Sequence, residues 1–594
     1  MNNIFSFCFS HFWRRILALS WLMCAVEVSS DLESLSAKCP KECFCHFYYQ
    51  PHDGPSLYVE CKKGGMHELP VEELDRRAQQ LFISPPLHDP NFLTIGPILT
   101  QPKPFSKLRD LTIANSNVPS IGQYAFWGLH NLKSLNLTRN NITSLNADNF
   151  RGLINLTSLY LDFNGIEQMA SETFGHLTSL KRLSLSNNKL TSLVPRLFRM
   201  LGKLDTLNLS FNPLNELNPE VFKDVTRLVV LKCRHCNLRW INTQIYHLAP
   251  LIEELDLGQN LFKYLTPDEF MSLRKLKTLQ LDGNQLSVIV DHVFGYNKQL
   301  STLTLGHNRL ALLAPGSLVN LTSLNSLDIS YNRLEKFHLQ AFASVVDTMT
   351  SIDLSGNNLP LNEIAVLLQI LPNIHNIKMS NLSINDIPPN FFMYNKYLKS
   401  LDLSLNQLTK FPYDLLKKFK YLQELDISHN KLETLNELDL YRLEAIPKIN
   451  LSPNTWHCYQ CSVEAMLVYM KTTVLNDSLR NLQCYEPKRM RGVNLADLDS
   501  ETLDPCPSRY EAQINLIASL VLVLVAVLAT VAIALCSNSA LRLSVGDPND
   551  ITLPIDICMI PLPEPVIPSD NGFDDLPKRC LRPPPEYLNQ DSII

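Results

Sequence analysis

Residues 132–142 read LKSLNLTRNNI, and the same phrase returns as LKRLSLSNNKL at 180–190 and as LKTLQLDGNQL at 276–286. Its spacing is Leu-x-x-Leu-x-Leu-x-x-Asn-x-Leu. Copies recur at a step of 24 residues almost throughout, beginning at Leu108, Leu132, Leu156, Leu180, Leu204, Leu228, Ile252, Leu276, Leu300, Leu324, Met349, Ile374, Leu398, Leu422 and Ile446. A single copy has no way to bury its own leucines, so neighbouring copies must stack and share one continuous core.

The Leu-x-Leu alternation predicts a short strand in every copy, with both leucines inward and the residue between them outward. The Asn that follows falls where the strand ends, and an inward amide there can pair with backbone groups that the turn leaves open. These residues are Asn140, Asn164, Asn188, Asn212, Asn260, Asn284, Asn308, Asn332, Asn357, Asn406 and Asn430. A second recurring inward position predicts a packed aromatic spine of Phe126, Phe150, Phe174, Phe198, Phe222, Phe270, Phe294, Phe342 and Phe392.

Both the phrase and its step resemble the leucine-rich repeat family. The resemblance implies an α/β leucine-rich repeat solenoid, with a curved parallel β-sheet on its concave face. Strands about 4.8 Å apart would give an inner face of roughly 70 Å. Such a face is suited to binding a macromolecule rather than to catalysis.

Cysteines bracket the repeats in two groups of four, which indicates an oxidising compartment. Cys39, Cys43, Cys45 and Cys61 resemble the amino-terminal cap of secreted leucine-rich repeat proteins, and the long gap after Cys45 predicts an extra loop. Cys458, Cys461, Cys484 and Cys506 resemble the carboxy-terminal cap. All eight are therefore expected to form disulfides. Between Lys62 and Ser106 the phrase is degenerate, with one possible strand at 81–83 and irregular coil around the prolines.

Hydropathy and charge divide the rest of the chain into segments. Expected boundaries are 1–30 for a signal peptide, 31–66 for the first cap, 67–453 for the repeats and 454–507 for the second cap. A juxtamembrane segment (508–515), a transmembrane helix (516–536, uncharged and long enough to span a bilayer) and a disordered cytoplasmic tail (537–594) follow. This layout predicts a single-pass type I protein of the plasma membrane with an extracellular ectodomain. Cys536 is a candidate for palmitoylation.

Eight Asn-x-Ser/Thr sequons lie between or within the caps, and none follows residue 510, which supports a lumenal ectodomain. They are Asn136, Asn141, Asn155, Asn208, Asn320, Asn381, Asn450 and Asn476. Asn136, Asn208 and Asn450 take the outward strand position, so sugar there would cover part of the inner face.

Two Cys-x-x-Cys pairs, Cys233 with Cys236 and Cys458 with Cys461, suggest zinc, but they lie in different coils more than 200 residues apart, which makes one shared site implausible. Cys233 takes an inward strand position and Cys236 replaces the repeat Asn. Two buried free thiols or a local disulfide both fit this pattern. The chain contains no catalytic phrase, and His235, His307 and His429 should face solvent, so we expect neither an enzyme nor a cofactor. The mild net charge of -5 does not favour nucleic acid.

Outward strand positions provide two candidate binding features. Acids cluster in the second half at Asp256, Asp328, Asp353, Asp402 and Asp426, with Glu253, Glu254 and Asp282 beside them. They would suit a basic ligand, although Asp in this phrase also serves ordinary solvation. An apolar group expected in neighbouring repeats of the first half is a candidate ligand site: Tyr160, Phe163, Phe211, Val229 and Val230.

The last residues contain three overlapping adaptor motifs. Pro584, Pro585 and Tyr587 fit a WW-domain ligand, Tyr587 with Asn589 fits a phosphotyrosine-reading adaptor, and Ser592 with Ile594 resembles a PDZ ligand. An inert disordered end is the alternative.

The chain resembles single-pass leucine-rich repeat surface proteins of the adhesion, guidance and trophoblast-glycoprotein-like families. That resemblance implies a receptor or adhesion protein that binds an extracellular protein through its ectodomain and adaptors through its tail. Two alternatives stay open: a pattern-recognition or signalling co-receptor without its own signalling domain, and a matrix-like structural protein released by cleavage.

Overall fold

The computed structural model describes residues 37–50, 54–97, 105–416, 418–472, 482–506 and 509–542. The predicted signal peptide, Asn476 and the tail motifs at Pro584, Pro585, Tyr587, Asn589, Ser592 and Ile594 lie outside these residues. The chain divides into two compact units, and the first unit ends at Cys506.

The described strands are short, and most have three residues, as the Leu-x-Leu alternation predicts. In chain order they are β1 (Cys43–Gln50), β2 (Gly54–Cys61), β3 (Ala78–Ile83), β4 (Asp110–Ile113), β5 (Ser134–Asn136), β6 (Ser144–Leu145), β7 (Ser158–Tyr160), β8 (Gln168–Met169), β9 (Arg182–Ser184), β10 (Thr206–Asn208), β11 (Val230–Lys232), β12 (Glu254–Asp256), β13 (Thr278–Gln280), β14 (Val288–Ile289), β15 (Thr302–Thr304), β16 (Leu312–Leu313), β17 (Ser326–Asp328), β18 (Ser351–Asp353), β19 (Asn376–Lys378), β20 (Ser400–Asp402), β21 (Glu424–Asp426), β22 (Lys448–Asn450), β23 (Trp456–His457) and β24 (Cys484–Glu486).

The described helices are few, and most connections between strands are turns. The helices are α1 (Gln244–Leu248), α2 (Leu361–Ile370), α3 (Tyr413–Leu416), α4 (Glu437–Glu444), α5 (Gln460–Thr472) and α6 (Arg509–Arg542). Short 3-10 helices cover Ala147–Phe150, Pro219–Val221, Leu339–Phe342, Lys488–Met490, Leu495–Asp497 and Ser500–Thr502.

One sheet of 18 strands forms the first unit. From β2 to β22 its strands are parallel and follow chain order, and small two-stranded pairs β6–β8 and β14–β16 form elsewhere in the repeats. The register places equivalent residues side by side: Leu207 is paired with Leu183 on one side and with Leu231 on the other. This register confirms the predicted parallel leucine-rich repeat solenoid.

Both caps contain the disulfides that the cysteine pattern predicts. Cys39 bonds to Cys45 and Cys43 to Cys61, while Cys458 bonds to Cys484 and Cys461 to Cys506. The first cap differs from prediction in one respect. Residues after Cys45 do not form an extra loop, because β1 and β2 pair as an antiparallel hairpin that ends in the Cys43–Cys61 bridge. The hairpin satisfies its backbone groups and supplies a first edge for the parallel strands.

The predicted Asn and Phe positions form two continuous internal rows. Asn284 shows the common pattern: its Oδ1 accepts from the Phe262 N–H at 3.1 Å, and its Nδ2 donates to the carbonyls of Leu257 and Leu281 at 3.0 Å each. All nine predicted Phe side chains are buried, and Phe150 and Phe198 both stack on Phe174 with centroids 6.2 Å apart. Tyr246, which the sequence pattern did not include, fills the gap between Phe222 and Phe270.

The second unit contains α6, which covers the predicted apolar span and continues beyond it at both ends. Among the residues that the structure describes, no helix is both long enough and apolar enough to cross a membrane. A membrane span at 516–536 therefore stays a prediction.

Candidate functional site

The acidic residues of the sheet face are bound to the repeats themselves. Side-chain Oδ1 atoms of Asp328, Asp353, Asp402 and Asp426 each accept the backbone N–H two residues later, at 2.9 to 3.1 Å. These bonds satisfy donors at the strand-to-turn junction, as an Asx turn does. These bonds give the acids a role in the repeat itself, and their use by a basic ligand stays a prediction.

The remaining acids of this group form ion pairs. Arg234 lies between Asp256 and Asp282 and donates to both carboxylates. The Asp282 carboxylate holds the pKa of Arg234 above its ordinary value, while burial raises the pKa of Asp256 despite its hydrogen bond from the Gly258 N–H. Glu253 pairs with Lys277 at 2.6 Å and Glu254 with Lys232 at 2.7 Å. Three cations thus pair with these four carboxylates, which leaves one net negative charge in the group.

A row of residues in the left-handed conformation runs along one edge of the sheet, where each strand turns. We call it the turn ladder, and its φ angles lie between 48° and 66°. It comprises Asn115, Arg139, Phe163, Asn187, Phe211, His235, Gln259, Gly283, His307, Tyr331, Gly356, Asn381, Leu405 and His429. Each N–H continues the hydrogen bonding between repeats: Phe163 N donates to the Ser186 carbonyl at 3.0 Å, and Phe211 N to the Arg234 carbonyl at 2.7 Å. The backbone requirement is therefore the same at every repeat.

Side chains of the turn ladder contact one another across repeats. The Arg139 guanidinium carbon lies 4.2 Å from the centroid of the Phe163 ring, and Phe211 stacks on His235 with centroids 5.5 Å apart. His307 and Tyr331 are nearly parallel at 4.5 Å. A Cβ on Gly356 would lie 2.5 Å from the Tyr331 ring, so that ring fills the space which the glycine leaves open.

The predicted apolar cluster is only partly assembled. Phe163 and Phe211 both lie on the turn ladder, but Asn187 separates them, so they are two strand spacings apart, or about 10 Å. Tyr160 is half-buried in β7 between Asn136 and Ser184. Val230 pairs with Thr206 and Glu254, and Val229 precedes it at the far end of the strand. The valines are thus remote from the rings, and of the exposed large apolar residues four lie on the turn ladder: Phe163, Phe211, Tyr331 and Leu405.

Tyr331 and Leu405 belong to this surface and were missed by sequence reasoning. Tyr331 is 38% exposed and Leu405 is 47% exposed, against 43% for Phe163 and 40% for Phe211. Both can be recognised in the sequence by their position, because each immediately precedes the Asn of its repeat. Reading that position along the chain would have found all four.

Cys233 and Cys236 are buried and free rather than bridged. Cys236 takes over one part of the repeat Asn's function, because its Sγ donates to the Leu209 carbonyl at 3.2 Å. It supplies no acceptor for the Leu214 N–H, which bonds instead to the Asn212 carbonyl at 2.8 Å. The hydrogen bond with Cys236, and then burial, raise the pKa of the Cys233 thiol well above its ordinary value. Both residues therefore serve the core.

Seven of the predicted sequons fall on described residues, and their surroundings differ. Asn141, Asn320, Asn381 and Asn450 are exposed, whereas Asn136, Asn155 and Asn208 are half-buried. Asn208 Nδ2 donates to Ser184 Oγ at 3.2 Å. A glycan would be attached to this same nitrogen and would disturb the hydrogen bond. His235, His307 and His429 are exposed, as predicted.

Comparisons with known proteins agree with the repeat assignment. The family model described as leucine rich repeat matches residues 106–166, 154–214, 226–286, 298–359 and 372–432. TLR13, solved in a complex with ssRNA13, is 22% identical over 73% of this chain and 67% of its own, with a TM-score of 0.53. Drosophila Toll in its complex with Spatzle is 22% identical over 73% of this chain and 59% of its own (TM-score 0.49).

Human 5T4, or trophoblast glycoprotein, is 27% identical over 39% of this chain and 88% of its own, with a TM-score of 0.36. At these levels of identity, the likeness to TLR13 is one of fold, namely a leucine-rich repeat solenoid. The RNA ligand of TLR13 gives no information about what this chain binds.

Proposed function

We propose that this leucine-rich repeat chain is a cell-surface receptor or adhesion protein that binds a protein ligand through the turn ladder and the sheet face beside it. One observation carries the proposal: Phe163, Phe211, Tyr331 and Leu405 are large, exposed and in the left-handed conformation. Bulky residues adopt positive φ rarely, because the side chain approaches the backbone carbonyl too closely.

The fold itself does not require these side chains. Other positions of the same ladder have Asn115, Asn187, Gly283, Gly356 and Asn381, which are the residue types that tolerate this conformation best. Their presence shows that the turn can be built without conformational cost. Strain of this kind is found mostly where function demands a particular side chain. Aromatic residues and Arg are enriched at protein–protein interfaces, and the contact of Arg139 with Phe163 provides both on this surface.

An extracellular location is part of the proposal and is supported by the four disulfides of the caps, which persist in oxidising compartments. A membrane anchor at 516–536 is also part of it. The described side chains from 517 to 533 are uncharged and exposed along α6. Alkaline carbonate extraction of membranes from expressing cells tests the anchor: the full-length chain should stay in the pellet, and its release into the supernatant would contradict the proposal.

The ligand-binding test uses the full-length chain on cells, exposed to a collection of secreted and surface proteins. The variant Phe163→Asn/Phe211→Asn replaces both rings with the residue found at Asn187, so the turn is retained while the apolar surface is removed. Tyr264→Gln is the matched control, because Tyr264 is 73% exposed and lies off the turn ladder, and because Asn at this position would create an Asn-x-Thr sequon. Ligands of the parent chain and of the control should bind the double variant at least tenfold more weakly. Unchanged binding of every ligand by a correctly displayed double variant refutes the assignment of this surface.

A further inference from the structure

A cavity of about 470 Å³ opens where strands β3, β4 and β5 begin, at the edge of the sheet opposite the turn ladder. It is lined by Gln79, Lys107, Arg109, Asn131 and Lys133. Three of these five side chains are cations, two are amides, and none is an acid. The cavity therefore offers hydrogen-bond donors and positive charge to whatever enters it.

The two amide side chains of the cavity, Gln79 and Asn131, also make hydrogen bonds within the protein. Gln79 Oε1 accepts from the Ser56 hydroxyl at 2.9 Å, which leaves its Nε2 able to donate towards the cavity. Asn131 Nδ2 donates to the Ser106 carbonyl at 2.7 Å, which fixes the orientation of its side chain at the rim. These bonds position the amide groups without adding negative charge to the cavity.

Two lysines at the same edge of later repeats, Lys277 and Lys448, are paired with carboxylates, whereas within the described residues no ion pair joins Lys133, Lys181 or Lys399 to one. Lys277 occupies the position of Lys133 six repeats later, and its ammonium lies 2.6 Å from Glu253 of the preceding repeat. Lys448, one residue further into its strand, lies 2.7 Å from Glu424. Lys133 has Arg109 as its neighbour on the preceding repeat, since the Lys133 N–H donates to the Arg109 carbonyl. Among the residues that the structure describes, no carboxylate contacts Lys107 or Lys133.

Adjacent like charges on neighbouring strands destabilise a sheet. The later repeats show that this solenoid can supply a carboxylate at the same position. The charges of Lys107 and Lys133 are thus not compensated by a carboxylate within the described residues, and an anionic ligand would compensate them. The repeat after Lys133 has Thr157 at the equivalent position, and the repeat after that has exposed Lys181 there, with exposed Arg182 beside it.

We propose that this cavity and the basic edge beside it bind a sulfated polysaccharide. From Arg109 to Lys181 is three repeats, or about 14 Å, so the cations form a line that suits a linear chain with several sulfate groups. Nucleic acid is disfavoured, because single strands bind largely by stacking their bases on aromatic side chains, and none of the five cavity residues is aromatic. The proposal goes beyond protein binding by the turn ladder and does not depend on it.

The test measures binding of heparin to the purified full-length chain in detergent, over a series of salt concentrations. Fully desulfated heparin, which keeps its carboxylates, and a single-stranded RNA oligomer are compared with it. The variant Lys107→Gln/Lys133→Gln removes two cavity charges, and Lys277→Gln is the matched control at a paired position. Because all three lysines are exposed, the variants should fold normally, and equal denaturation midpoints would verify that they do.

We expect heparin to bind at least tenfold more tightly than desulfated heparin or RNA. The double variant should lose at least tenfold in affinity, and the slope of log Kd against log salt should fall by about one for each lysine removed. Lys277→Gln should bind as the parent chain does. Three results overturn the proposal: no binding of heparin, equal binding of the desulfated form, or full affinity in the double variant. Tighter binding of RNA with the same dependence on Lys107 and Lys133 would assign the cavity to nucleic acid instead.

Discussion

The guanidinium of Arg139 lies over the ring of Phe163, with its central carbon 4.2 Å from the ring centroid, and both residues have positive φ on successive repeats. The contact joins two residues that precede the repeat Asn in their own copies. It shows that the turn ladder is a packed row of side chains and not a series of unrelated turns. Substitutions of Phe163 can therefore test separately the energetic cost of its positive φ and the contribution of its contact with Arg139.

Substitutions of Phe163 should rank by their tolerance of the left-handed conformation. Phe163→Asn relieves about 1 kcal/mol of backbone conflict and loses a cation–π contact of about 0.5 to 1 kcal/mol, so its free energy of unfolding should equal or slightly exceed that of the parent. Phe163→Val keeps an apolar side chain but is β-branched and should be the least stable of the three. Urea denaturation midpoints give the order. A valine variant as stable as the asparagine variant would contradict the positive φ.

Loss of one repeat Asn should be costly, because each such amide satisfies three backbone groups. Asn284→Ala leaves the Phe262 N–H and the carbonyls of Leu257 and Leu281 without this partner. At about 1 kcal/mol or more for each buried group, the free energy of unfolding should fall by about 3 kcal/mol. Asn325→Ala, at an exposed position, is the control and should change stability by less than about 0.5 kcal/mol. Equal midpoints for the two variants would refute the role of the amide row.

Two glycines of the turn ladder allow a matched comparison. Gly283 and Gly356 have φ of 66° and 64°, so alanine at either position incurs a similar backbone cost. A Cβ at Gly283 would meet the flexible Gln259 side chain at 3.0 Å, whereas at Gly356 it would meet the Tyr331 ring at 2.5 Å. Gly356→Ala should therefore be less stable than Gly283→Ala by about 1 kcal/mol or more, since the ring must move away from His307. Denaturation of both variants measures the difference directly, and equal stabilities would mean that Tyr331 does not occupy this space.

Asp162 should make the stability of the ectodomain depend on pH. Burial raises the pKa of its carboxyl above the ordinary value of 3.8, despite hydrogen bonds from the Ser184 hydroxyl and the Ser186 N–H. A raised folded-state pKa contributes stability that is complete below the ordinary value and is lost as pH rises through the folded value. Asp162→Asn keeps an oxygen for both donors and cannot ionise. Its stability relative to the parent should increase between about pH 4 and pH 7. A difference that is constant with pH, measured by chemical denaturation, would refute the assignment.

Both central thiols should resist alkylation in the native chain. Cys233 and Cys236 are fully buried, and the thiolate, which is the reactive form, is disfavoured at Cys233. Iodoacetamide should leave both unmodified under native conditions and label both after denaturation without reductant, as mass spectrometry of the peptides would show. The cap cysteines are the control, because they should be labelled only after reduction. A Cys233–Cys236 bridge in the unreduced digest would contradict the structure.

Much of the fold was accessible from spacing alone. Because every repeat is packed against near-copies of itself, a step of 24 residues, kept almost throughout, places Leu against Leu, Asn against Asn and Phe against Phe without knowledge of the rest of the chain. Tyr246 shows the limit of the pattern: it fills a position of the Phe row, yet it does not match the residue type that defined that row. The antiparallel hairpin of the first cap was missed for a similar reason, since it occurs once and has no repeat to reveal it.

The sequence by itself determined the register of the solenoid, its amide and aromatic rows, and the cysteines of its caps, because these depend on short, repeated spacings. Only the tertiary structure decided what the surface side chains do. It bound the aspartates to their own backbones, separated Val229 and Val230 from the rings, put Tyr331 and Leu405 on the turn ladder, and brought Gln79, Arg109 and Lys133 around one cavity. These relationships depend on backbone conformation and on contacts across neighbouring strands, and no spacing within a single repeat specifies them.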